Sequence, residues 1–176
     1  MHLPSRLSAF ARAAAVAAAL CCTAIAHAAD AYADVQQLMR SGKLAEALAK
    51  TQQAIAARPK DPQMRFLQGV IHTEAGRPGE AIATFTALTQ DYPELAEPYN
   101  NLAVLYAGQG KYDMARAALE QALRVNPNYG VAHENLGDVY ARLAAQSYER
   151  AGRLEPKSPS VPAKLTLVRQ LFTPRS

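Results

Sequence analysis

Apolar residues recur along most of this chain at spacings of three and four, the period of a helix with one buried face. The stripes are broken at regular intervals. Gly42, Gly76 and Gly110 stand 34 residues apart, as do Ala47, Ala81 and Ala115, and so do Pro59, Pro93 and Pro127. Three columns in register over three copies mark an internal repeat. Each column has a mechanical reason. Glycine ends a first helix because, without a Cβ, it turns the chain through positive φ. Alanine lets the second helix lie close against the first. Proline stops that second helix and starts the next connection. On the first helix a small residue marks the crossing, Gly69, Ala103 and Gly137, with the larger Val35 in the first unit. Three residues on comes a bulky one: Leu38, His72, Tyr106 and Tyr140. Phe85 and Leu119 sit four residues beyond the alanine column, where Thr51 is a weaker filler.

A 34-residue unit with this layout resembles the tetratricopeptide repeat (TPR) superfamily, in which each unit is a pair of antiparallel helices. Unit three carries the resemblance best, through Tyr99, Leu102, Ala103, Tyr106, Gly110, Tyr112, Ala115, Leu119, Ala122 and Pro127. Unit two has Arg65, and unit one Ala31, where an aromatic residue is usual, so the first helix is expected to be short and frayed. The resemblance implies an all-α, right-handed solenoid of helical hairpins over residues 29–156, with repeats at about 29–61, 62–95, 96–129 and 130–156.

The fourth unit departs from the period. Its start (His133, Leu136, Gly137, Tyr140) and its end (Ala144, Tyr148, Ala151, Pro156) both fit, yet Pro156 follows Pro127 by 29 residues. The five missing residues are the turn. No Gly or Pro interrupts Asp138 to Ala151, and Leu136, Tyr140, Leu143, Ser147, Ala151 and Leu154 hold one helical period. The two helices of this unit are therefore expected to be fused, from about Val131 to about Leu154, the alternative being a tight turn near Ala144-Ala145. Within residues 157–176, Val161 to Phe172 reads as a capping helix, with Val161, Leu165, Val168 and Leu171 or Phe172 on one face, folded back near Tyr148 and Leu154. The surplus length of the fused helix is surface that either this cap or a second copy covers, which admits a homodimer through the C-terminal helices.

The N-terminus carries a different pattern. Arg6 and Arg12 precede the apolar run Ala13 to Ala26, and Ala26-His27-Ala28 is the small-x-small pattern of a signal peptidase site. Residues 1–28 thus read as a cleaved signal peptide, with cleavage after Ala28, and the remaining chain as periplasmic or secreted. The run is shorter than the roughly 20 residues of a spanning helix, so no integral membrane segment is expected in the mature chain. Cys21 and Cys22 leave with the leader. Without Arg6 and Arg12 the chain keeps 17 Lys and Arg against 15 acids. That near balance removes the main support for nucleic-acid binding.

Candidate chemistry is sparse. His72 and His133 both fall in bulky packing columns, and no HExxH, CxxC or clustered carboxylate pattern points to a metal or cofactor. No nucleophile has a recognisable base, so the reading is that the protein is not an enzyme. The resemblance implies a concave groove lined by first helices, which binds a protein or peptide segment. Its slots here are Gln36, Arg40, Phe66, Val70, Glu74, Asn100, Asn101, Val104, Glu134, Asn135, Asp138 and Arg142. Asn101 and Asn135 are equivalent positions whose amides can donate and accept, which suits either local hydrogen bonding within the fold or the backbone of an extended ligand. Glu97, Glu134 and Asp138 make the far end acidic. Some members of the family clamp a chaperone's C-terminal carboxylate with lysine, asparagine and arginine. The corresponding slots here hold Tyr32, Gln36, Leu67, Glu97 and Asn101, without a cationic pair. The function this implies is a non-catalytic scaffold or adaptor of the bacterial envelope. The competing expectations are a chaperone-like holder of exported proteins and an accessory subunit of an envelope enzyme.

Overall fold

The structure, a computed structural model, describes residues 31–173. The expected leader, its cleavage site and both cysteines lie outside the described residues. The described secondary structure is helical: α1 (31–40), α2 (Leu44–Ala57), α3 (Pro62–Glu74), α4 (Pro78–Asp91), α5 (Ala96–Gly108), α6 (Tyr112–Val125), α7 (Gly130–Leu154) and α8 (Val161–Gln170). They fall into two compact units, divided between Ala75 and Gly76. No described helix is long and apolar enough to cross a membrane.

In the first unit, α1 and α2 pack around Val35 and Ala47, both fully buried, and α3 closes the core with Met64, Leu67 and Ile71. Tyr32, Leu38, Met39, Leu48 and Ile55 are half-buried around it. Thr51 fills its slot better than its polarity suggests: it is fully buried, and its hydroxyl donates to the Ala47 carbonyl at 2.7 Å. A polar group is tolerated there because its one donor is satisfied locally. An ion pair between Lys50 and Asp34 ties α2 to α1. The start of α3 is fixed by Asp61, whose carboxylate accepts from the Gln63 and Met64 N–H groups at 3.0 and 3.3 Å, with Pro62 in the first turn.

The turns follow the glycine column. Gly42, Gly76 and Gly110 have φ of 70°, 67° and 72°. The N–H groups of Lys43 and Lys111, one residue on, donate back to the carbonyls of Leu38 and Tyr106, each at 2.9 Å. This is the left-handed helix stop that satisfies the last carbonyls of the first helix.

In the second unit, α4 buries Ala81, Phe85 and Leu88 completely, and α6 buries Ala115, Leu119 and Ala122 to the same degree. Helix α5 lies against both and carries Ala96, Leu102 and Ala103 inward. Helix α7 is a single 25-residue helix, as its missing turn requires. The fusion overturns two packing assignments. Gly137 is exposed, with nothing within 4 Å of where a Cβ would sit, and Tyr140 is 49% exposed. Both occupy slots that face the second helix of a hairpin, and an unbroken helix cannot turn back to cover them. His133 also fails to pack: it is exposed, and its Nε2 lies 3.0 Å from the Pro127 carbonyl. His72, by contrast, is buried in its column.

The cap runs antiparallel to α7. Val161 at its start lies beside Gly152, Lys164 faces the Tyr148 ring at 5.9 Å, Arg169 pairs with Glu149 at 2.7 Å, and Phe172 reaches Arg142. Leu154 lies beyond the start of α8 and is 74% exposed, so it takes no part in the contact expected of it. Val161, Leu165, Val168 and Phe172 form the packed face, each half-buried, while Leu171 is 68% exposed.

Two stability predictions follow from these contacts. Gly110→Ala is expected to cost about 1 kcal/mol, because its φ of 72° strains any L side chain, measured by denaturant unfolding. Removal of residues 158–176 is expected to lower the melting temperature by a few degrees, since four half-buried side chains contribute roughly 3–6 kcal/mol before ordering entropy is subtracted. Unchanged melting would show that α8 caps nothing.

Candidate functional site

The first helix of each hairpin presents a stripe of residues away from its partner, and the expected binding residues are on those stripes. In the first unit, α1 contributes Gln36 and Arg40 one turn apart, and α3 contributes Phe66, Val70 and Glu74 at the same spacing. The structure brings all five together. With Tyr32, Met39 and Leu67 they line an open recess of about 370 Å³. Phe66, Val70 and Gln36 are half-buried, whereas Arg40 and Glu74 are exposed. The recess therefore offers an apolar floor with one cation and one carboxylate among its lining residues.

In the second unit, α5 and α7 frame a recess of about 270 Å³. Val104, Asn135, Asp138 and Arg142 line it, over Ala103, Ala107 and Val139. Val104 is 49% exposed, an apolar side chain presented to whatever enters. Asn100, Asn101 and Glu134 are not among its lining residues. Asn100 is only 7% exposed, and its Oδ1 accepts from Asn135 Nδ2 at 2.8 Å. It thus braces α7 against α5 from behind the surface. Asn101 donates through Nδ2 to the Glu97 carbonyl at 2.9 Å, within its own helix. The two equivalent asparagines are therefore used differently, one between helices and one along a helix.

The acidic end is visible in the electrostatics. Burial, reinforced by the Glu97 carboxylate, pushes the Tyr129 phenol above its ordinary pKa. Glu97, Glu134 and Asp138 are all exposed. Sequence reasoning missed Phe172. Its ring lies in the second recess, with the Arg142 guanidinium 3.6 Å from the ring centroid, a cation–π stack. The apolar spacing of the cap marks Phe172 as an inward residue but does not say where it lands. Tyr32 entered the sequence reading only as a clamp slot and Met39 not at all, although both lie on α1 within a turn of Gln36. Among the described residues no group of three or more His, Cys, Asp or Glu side chains could hold a metal ion. Chemically, both recesses suit non-covalent capture of apolar side chains flanked by charge.

Comparison with known proteins places this geometry. Two family models, both described as tetratricopeptide repeat, match residues 32–96 and 96–129, together more than half of the chain. A TPR protein of Thermus thermophilus has a solved structure that superposes with a TM-score of 0.60 at 24% identity, covering 81% of each chain. The first TPR domain of Spaghetti (RPAP3), solved with a bound HSP90 peptide, superposes with a TM-score of 0.60 at 17% identity, covering 65% of this chain and 90% of that one. The chloroplast TPR domain-containing protein PYG7 of Arabidopsis thaliana is 34% identical over 73 residues, 39% of this chain. The chain spans no more than a quarter of the length of the curated relatives it matches, 24% in that case. The columns of glycine, alanine and proline, the helical hairpins they produce and these matches agree: the chain belongs to the tetratricopeptide repeat family.

Proposed function

We propose that this protein is a non-catalytic interaction module that binds a segment of another protein on the first-helix surfaces of its repeats. The observation that carries the reading is the pair of recesses, in which nine of the expected contact residues gather as Gln36, Arg40, Phe66, Val70 and Glu74 in one unit and Val104, Asn135, Asp138 and Arg142 in the other. Each combines apolar surface with a few charged groups, the composition of a peptide-binding surface. The RPAP3 domain, of the same fold, is one that holds a peptide. The carboxylate clamp is not part of the reading, because Tyr32, Gln36, Leu67, Glu97 and Asn101 supply no cationic pair in those slots.

The setting we propose is the bacterial envelope. The leader-like residues 1–28, with Ala26-His27-Ala28 at their end, support export to the periplasm or beyond. An adaptor that retains a partner of the envelope fits a binding surface of this kind, and the acidic end favours neutral or basic segments.

Cross-linking in intact cells followed by affinity purification tests the assignment. The expected result is one partner, or a small fixed set, whose recovery falls about tenfold when Glu134 and Asp138 are both changed to Lys. Phe66→Ala is expected to weaken capture of the same partner by a similar factor, through lost apolar contact. A broad collection of unfolded exported proteins would identify a holder instead, and recovery indifferent to all three changes would remove the first-helix surface as the binding site.

A further inference from the structure

The recess between α5 and α7 already holds a side chain. Val104, Asn135, Asp138 and Arg142 reach it from the helices expected to meet a partner, whereas Phe172 comes from the segment after α8. Its ring lies on the face of Arg142, 3.6 Å from the guanidinium to the ring centroid. The backbone around it is loosely held. The N–H groups of Leu171, Phe172 and Thr173 each donate three residues back, at 3.3, 3.1 and 3.4 Å, the bonds of a helix that is ending. Leu171 beside it is 68% exposed. Contact with α7 at this end therefore rests on the ring.

We propose that Phe172 is an internal occupant of the partner site, and that the partner segment brings an aromatic side chain to the same place on Arg142. The inference rests on the reading of this recess as a binding surface and adds the chemistry of what binds there. A ring is selected because a guanidinium over its face gains a cation–π attraction that an aliphatic side chain of similar size does not supply. Arg142 is exposed, and with its face on a ring it keeps its N–H edge for carbonyl groups of the incoming segment. Ala103 and Ala107 leave the recess open, and Val104 on the α5 side is 49% exposed. About 270 Å³ is thus available beside Phe172 for the residues that flank the incoming ring.

Because it belongs to the chain, Phe172 competes at a fixed effective concentration, whatever the amount of partner present. A recess that is free only roughly a tenth of the time binds about tenfold more weakly than an open one. Removing the ring should therefore strengthen the capture of an aromatic segment. A residue that only fastened the last helix would have no such effect.

A short aromatic peptide tests this on the whole protein. The chain has no tryptophan, so a capped peptide of residues 169–173 carrying Phe172→Trp reports its own binding by fluorescence anisotropy. The Phe172→Ala protein is expected to bind it about tenfold more tightly than the wild type, with helix content unchanged. Phe172→Leu, which keeps an apolar side chain against α7, is expected to fall between the two, and it carries the comparison if the alanine variant loses helix. Adding Arg142→Ala to Phe172→Ala is expected to weaken the peptide severalfold. The same peptide with alanine at the aromatic position is expected not to displace the probe. Equal binding by the wild type and both Phe172 variants, or binding by none of them, overturns the inference. So does displacement by the alanine peptide. Capture of a cellular partner that still depends on Phe66 would then leave the interaction module standing, and loss of that dependence as well would remove it.

Discussion

Two helices can lie flat against each other only where neither sets a large side chain at the crossing. Ala47, Ala81 and Ala115 meet that condition, each with no exposed surface. The rest of the structure follows from it. Close approach brings Val35, Phe85 and Leu119 into full burial beside the crossing, and the burial of such side chains offsets the entropy of ordering the chain. It also decides what is left outside. Because the hairpin faces are spent on each other, the outer stripe of each first helix is released for contact with something else.

Much of this was legible in the sequence because it depends on local rules. A glycine at positive φ and a proline two residues past a helix end are statements about single residues, and Gly42, Gly76 and Gly110 obey them. The fused helix was legible for the same reason: a deleted turn leaves a continuous helical period. What failed was any assignment that assumed a hairpin around that helix. Gly137, Tyr140 and His133 keep the residue types of packing slots, yet type alone does not supply the neighbour that makes a slot an interior. Leu154 was misplaced because the starting point of α8 along α7, rather than the apolar spacing, decides which side chains the cap reaches.

The candidate site divides along the same line. Phe66, Val70, Gln36, Arg40 and Glu74 follow from helical spacing alone, and they converge. Asn100 and Asn101 do not, because an amide is satisfied by whichever neighbour is nearest: Asn101 donates to its own helix, and Asn100 accepts from Asn135. That bond holds α5 and α7 at a fixed separation, and with it the width of the recess between them. A polar pair at the back of a binding surface thus sets the spacing of the apolar groups at its front.

The stack of Phe172 on Arg142 gives the segment after α8 a share in that surface. Anything that takes the place of the ring must also lift the end of α8 from α7, so occupancy there and the anchoring of the last helix are thermodynamically linked. A substitution at Phe172 would act on the same balance, reaching the recess through the helix that packs on α7.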